Sequence, residues 1–254
     1  MEWLREISRW SHVIVGFAGL LAFWFPVFTR KGGRFHKLSG KIFVFAGYWV
    51  VGTAALSCTL IAWPAFRDGL THERMVALAP VAFLTYLAWV TYVLLRYAVG
   101  VLRTKKDPTL LDTTEFRVLS VSAVISSPLL VIYATMFSSS WSVVLYALSP
   151  LGVLNGWPIW RYLRGKVAGK RVWFYEHLNA TIGAGIAFHT AFAVFGSSRL
   201  FDNPLSGIAA VVPWVLPTAV GVPAMVLWKR HYQRKFGELP KPSDRIGADT
   251  LPTA

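Results

Sequence analysis

Apolar residues run through this chain in long blocks, each closed by a short joint rich in glycine, proline, lysine or arginine. Seven blocks stand out, at residues 10–29, 42–63, 75–102, 118–137, 141–160, 172–196 and 207–228. A helix rises about 1.5 Å per residue, so roughly 20 apolar residues cross a hydrocarbon layer about 30 Å thick. Soluble core elements are shorter than these blocks. In lipid each backbone polar group must find its partner inside the segment, which makes every block a helix. Strands of alternating polarity, the mark of a transmembrane barrel, are not visible. The pattern therefore predicts an all-α, polytopic membrane helix bundle over residues 1–236. The least marked joint is Ser138-Ser139-Ser140, between the fourth and fifth blocks. From Gly237 onward the Pro- and Gly-punctuated stretch lacks apolar periodicity, and residues 237–254 read as a disordered tail.

Composition agrees. Hydrophobic residues make up 55% of the 254 and charged residues only 15%, against about 25% charged in soluble domains. Mean hydropathy is +0.49. The formal net charge of +14 would suggest nucleic-acid binding in a soluble protein, but its distribution points elsewhere. Twenty of the 26 lysines and arginines fall in the odd-numbered connections and the tail, and five on the opposite side. Cation-rich loops stay cytoplasmic. The amino terminus is thus expected outside and the carboxyl terminus inside a bacterial inner membrane. Arg30, Lys31, Arg34, Lys37 and Lys41, in the first joint, are expected to meet anionic lipid headgroups. Arg96, inside the third block, is expected to snorkel to the same interface. Trp10, Trp63 and Trp141 fall at outer ends, and Trp160, Trp173 and Trp228 at inner ends, as an aromatic belt requires. The single Cys58 excludes an intramolecular disulfide and a cysteine metal cluster.

Function in such a chain is sought among polar groups at membrane depth. Carboxylates are nearly absent there, Glu176 being the exception, and the histidines stand out instead. His12, His72 and His189 sort to the outer side, His36 and His177 to the inner. Small residues follow several of them at helical spacing: Gly16 and Gly19 after His12, Gly40 after His36, Ala193 and Gly196 after His189. A flat macrocycle held by an axial imidazole needs such bare helix surface, and close helix–helix packing needs it equally. His177 and His189 are twelve residues apart, about 18 Å in depth but about 120° apart in azimuth. Either a bulge near Gly183–Gly185 brings both to one face, or only one of the two is a ligand.

The stretch HVIVGFAGLLAFWFPVFTRKGGRFHKLSGKIFVFAGYW, His12 to Trp49, resembles the first hairpin of a broad group of bacterial multi-pass membrane proteins of unknown function. The resemblance aligns His12, Lys31, Gly32, His36 and Gly40 with that pattern, and EHLNATIGAGIAFHTAF with its later His-bearing helix. It implies a shared membrane fold. Transmembrane histidines on glycine-bearing helices are also faintly similar to b-type cytochromes. Three functions follow. One is a redox protein holding haem b, or exchanging electrons with a quinone or redox partner, through His12, His36, His177 and His189. Another is a metal-dependent membrane hydrolase using His12, His72 and His189. The third is a non-catalytic carrier or scaffold, with Pro150, Pro158, Pro213, Pro217 and Pro223 as helix breaks.

The topology is open to direct measurement. Reporter fusions after Lys37, Lys106, Lys166 and Lys235 should read cytoplasmic, and fusions after Asp68, Ser139 and Asp202 external. Two reversed sites would overturn the arrangement.

Overall fold

A computed structural model describes residues 2–167, 169, 171–196 and 212–239, and among these the fold is all helix. Seven helical segments are long and apolar enough to cross a membrane. They are α1 (Glu2–Phe28), α2 (Arg34–Arg67), α4 (Ala79–Arg103), α5 (Thr114–Met136), the pair α6 (Ser142–Leu148) and α7 (Leu151–Leu163), α8 (Val172–Ala191) and α9 (Val212–Lys235). A short α3 (His72–Ala77) precedes α4, a 3-10 turn (Pro108–Leu111) precedes α5, and a π turn (Phe192–Gly196) follows α8.

The chain divides into two units, Met1–His189 and Thr190–Ala254, where the apolar pattern suggests one domain to residue 236. The division falls beside the π turn. In the second unit the edge of the Phe195 ring meets Trp214, with centroids 5.9 Å apart. Most of the expected tail, from residue 240 on, lies outside the described residues.

Within the first unit α4 is the centre. Phe83, Leu95, Val93, Val101 and Tyr97 are almost wholly buried. By contrast α1 and α2 turn Phe17, Leu21, Phe25, Ile42 and Phe45 outward. Large exposed apolar side chains over the length of two helices are what a lipid environment demands. Glycines set the helix spacing. A methyl added at Gly19 would stand 2.8 Å from Ala46 Cβ on α2, and one at Gly47 2.6 Å from Leu95 on α4. On α7, Gly152 and Gly156 form a small-xxx-small stripe against α5. A Cβ there would come within 2.2 Å of the Ala123 carbonyl oxygen and 2.5 Å of the Ser120 carbonyl oxygen.

The fifth membrane segment is broken between α6 and α7 at Ser149-Pro150. Proline removes a backbone donor and frees the carbonyl one turn earlier, and inside a membrane no water can satisfy that loss. The freed Tyr146 carbonyl accepts from Ser149 Oγ at 3.0 Å, and Tyr86 of α4 serves the groups that follow. Its hydroxyl donates to the Ser149 carbonyl at 2.6 Å and accepts the Gly152 N–H at 2.6 Å. Ser127 of α5 accepts the Val153 N–H at 3.0 Å. The break is thus closed from two neighbouring helices. Arg96, expected to snorkel, is met by a partner: its Nε donates to Glu115 Oε1 at 2.9 Å, and its guanidinium lies over Phe116.

Two substitutions test this packing. Tyr86→Phe strips the buried Ser149 and Gly152 groups of their partner and should lower unfolding stability in mild detergent by about 1–3 kcal/mol. Gly156→Ala should destabilise, because the atom it meets is backbone. Gly52→Ala, where nothing lies within 4 Å, should not. Equal effects at the two glycines would count against close packing as their role.

Candidate functional site

The joint between α1 and α2 is built around one carbonyl. Gly32 adopts a φ of +76°, a left-handed backbone natural to glycine, and the chain reverses within five residues. Lys31 then folds back so that its ammonium donates to the carbonyls of Pro26 and, at 3.1 Å, Val27, at the end of α1. His36, in the first turn of α2, brings Nδ1 to the same Pro26 oxygen at 3.4 Å. A carbonyl only accepts, so Nδ1 carries the proton and Nε2 keeps its lone pair. Lys31 and His36 together clasp the hairpin. The residues expected to meet headgroups therefore separate: Arg30, Arg34, Lys37 and Lys41 are exposed, whereas Lys31 turns inward to the helix end. Burial lowers the Lys31 pKa from its usual value.

His177 of α8 repeats the device. Its Nδ1 donates to the Ala98 carbonyl of α4 at 3.1 Å, across two helices, so Nε2 again keeps the lone pair. His36 and His177 stand within electrostatic reach of one another. The expected inner pair thus shares one end of the bundle. Beside His177, Glu176 accepts a hydrogen bond from the Tyr97 hydroxyl at 2.8 Å, and Tyr97 meets Tyr162 edge-on at 5.9 Å. The Tyr162 hydroxyl and Asn179 Oδ1 are buried with no hydrogen-bond partner among the described residues. Sequence reasoning singled out Glu176 but missed Tyr97, Tyr162 and Asn179. Tyrosine within an apolar helix resembles any other bulky core residue, and the meeting of α4, α7 and α8 is not written in spacing.

The outer histidines do not converge. His189 donates from Nδ1 to the Gly185 carbonyl of its own helix at 2.7 Å, and its Nε2 accepts the Trp24 indole N–H at 3.1 Å. Both ring nitrogens are engaged. Trp24 follows His12 by twelve residues, about 18 Å along α1, so His189 lies far from His12 and not opposite it. A bulge near Gly183–Gly185, which would bring His177 and His189 to one face, is not formed. The helix α8 is regular from Val172 to Ala191, and the π turn begins at Phe192, beyond His189. His12 brings Nδ1 to Thr53 Oγ1 at 2.8 Å. The Thr53 proton is already given to the Trp49 carbonyl at 2.8 Å, so His12 is the donor. His72, exposed at the start of α3, lies against the Phe137 ring. Among the described residues no group of three or more His, Cys, Asp or Glu side chains is placed to hold a metal ion. The trio His12, His72 and His189 is therefore not assembled.

The small residues beside the histidines follow the same division. Gly16 and Gly19, after His12, face Val50, Ala46 and Phe188. Gly185 would drive a methyl into the Phe23 ring at 2.2 Å. These faces are filled by neighbouring helices. Gly40, one turn beyond His36, has nothing within 4 Å and remains bare.

Against known proteins, no family model, no curated protein and no solved structure matches the chain.

The clasp has a pH signature. Desolvation disfavours the charged form of Lys31, so the folded state holds this proton less tightly than the unfolded chain. That penalty is fully present at neutral pH. It should fade as pH rises through the lowered folded value toward the ordinary lysine value of 10.5. Unfolding stability should climb across that alkaline window in the native sequence, and Lys31→Met should flatten the climb. An identical slope in both proteins would remove Lys31 from the clasp.

Proposed function

We propose that this multi-pass membrane protein is a redox protein of a bacterial inner membrane, holding a single haem b through His36 and His177 on its cation-rich, cytoplasmic side. The observation that carries this reading is the shared state of the two imidazoles. Each has Nδ1–H committed to a backbone carbonyl, from Pro26 and from Ala98, and the two imidazoles lie within electrostatic reach of one another. A carbonyl on Nδ1 sets the tautomer and orientation of an axial imidazole and raises its basicity at Nε2. The donor set therefore fits a b-type iron.

Other residues support the same end of the bundle. The bare Gly40 surface beside His36 leaves one helix face without a side chain. Arg34, Lys37 and Lys41 are exposed cations at the start of α2 that offer counter-charge to propionates. The iron, when bound, supplies a one-electron couple. The chain's own part is to hold two neutral imidazoles in apolar surroundings, which sets the potential through burial and ligand basicity. His12 and His189 have no place in this reading, because His189 spends both ring nitrogens and is not brought opposite His12. A quinone or a protein could exchange the electron at this end.

A second reading, a non-catalytic carrier or scaffold, draws on the satisfied Pro150 break and on the glycine faces packed by neighbouring helices. Colour separates the two. Protein purified in mild detergent from haem-replete cells should show a Soret band and, on reduction, α and β bands. His36→Ala and His177→Ala should each abolish the same component, and His12→Ala and His189→Ala should leave it. A colourless preparation that takes up no added hemin would leave the carrier or scaffold standing.

A further inference from the structure

The loop after α4 touches both α7 and the start of α8. The 3-10 turn at Pro108–Leu111 packs on both α4 and α7. Two cations here lie on indole faces. Lys105 Nζ is 5.7 Å from the centre of the Trp173 ring, and Arg164 Cζ is 4.7 Å from that of Trp160. Both cations are exposed and both indoles half-buried.

The acidic residues of the same region are already committed. Asp107 caps the 3-10 turn, accepting from Thr109 N at 3.0 Å and from Thr109 Oγ1 at 2.5 Å. Asp112 is held by both arms of Arg117, each at 2.7 Å, and Arg164 stands within electrostatic reach of it without an ion pair. Glu115 belongs to Arg96. Among the described residues the ion pairs are Arg67–Asp68, Arg96–Glu115 and Arg117–Asp112. Lys105 and Arg164 have none.

A cation on an indole keeps its charge while its outer face remains open, and tryptophan resides at the depth of lipid headgroups. We propose that Lys105 and Arg164, backed by Trp173 and Trp160, form a binding site for the phosphate of an anionic phospholipid headgroup. The apolar flanks of α4 and α7 lie next to the site for the acyl chains: Leu102 and Leu154 are exposed. The flat indole floors distinguish the site from the flexible cations of the first joint, where Arg34, Lys37 and Lys41 offer only diffuse attraction. A single interfacial cation contributes about 1 kcal/mol toward an anionic surface, so losing two should weaken binding tenfold or more.

The test titrates delipidated full-length protein with phosphatidylglycerol, phosphatidylcholine or soluble glycerol phosphate and reads the thermal unfolding midpoint. Phosphatidylglycerol should raise the midpoint at concentrations where the other two do not. Lys105→Gln with Arg164→Gln should shift that titration at least tenfold, while Arg34→Gln with Lys37→Gln should move it much less. Trp160→Leu with Trp173→Leu keeps every charge and should weaken the response several-fold. This variant carries the test if the glutamine pair fails to insert. Equal stabilisation by phosphatidylcholine, or an equal shift in the Arg34/Lys37 control, would overturn the site. So would an unchanged titration in the indole variant. Stabilisation by glycerol phosphate alone would replace the lipid with a free phosphate ligand.

Discussion

Inside a bilayer no water can accept or donate a hydrogen bond, and every feature of this bundle answers to that constraint. Regular helix answers most of it. Where the helix fails, at Ser149-Pro150, the missing partners come from Tyr86 and Ser127 on α4 and α5. Where α1 ends, Lys31 and His36 supply donors to carbonyls that have run out of helix. Even the contact of α8 with α4 includes a donated imidazole proton on the Ala98 carbonyl. Polar side chains in this protein act first on backbone groups.

That priority reshapes how the histidines are understood. His189 spends both nitrogens, on Gly185 and on Trp24, and is a packing residue of the α1–α8 contact. His12 spends its Nδ1 proton on a threonine that has already given its own away. His36 and His177 also spend Nδ1, but on carbonyls that orient the ring and leave Nε2 with its lone pair. A hydrogen bond can thus serve structure and prepare a ligand at once. His189 differs from the inner pair at Nε2, which accepts the Trp24 indole N–H.

Glycine tells the same story of competing uses. A glycine one turn from a histidine is compatible with a bound ring or with a close neighbour, and spacing along one helix cannot separate them. Gly16, Gly19 and Gly185 are taken by side chains from other helices, and Gly152 and Gly156 by backbone. Among the glycines paired with a histidine, Gly40 keeps an open face. Close packing is the commoner answer in a membrane, where dispersion between backbones replaces the hydrophobic effect as the force joining helices.

Much of the architecture could be read from residue order alone. Span length, the all-helical class and the sidedness of the cations depend on local composition and on the thickness of the hydrocarbon layer, both properties of a linear string. Helix ends were less legible: α2 begins at Arg34, not Ile42, because a basic, polar turn continues a helix into the interface as readily as it ends one. Pairings of side chains were not legible at all. That Lys31 turns inward, that Tyr97 reaches Glu176, and that His189 meets Trp24 in place of His12 depend on which helix lies beside which, and at what height. Such neighbours are set by interlocking small residues on several helices at once. The sequence by itself therefore determined how many times the chain crosses the membrane and which loops carry its charge. Only the tertiary structure decided which carbonyl or side chain each histidine meets, because hydrophobic length specifies a helix and not its neighbour.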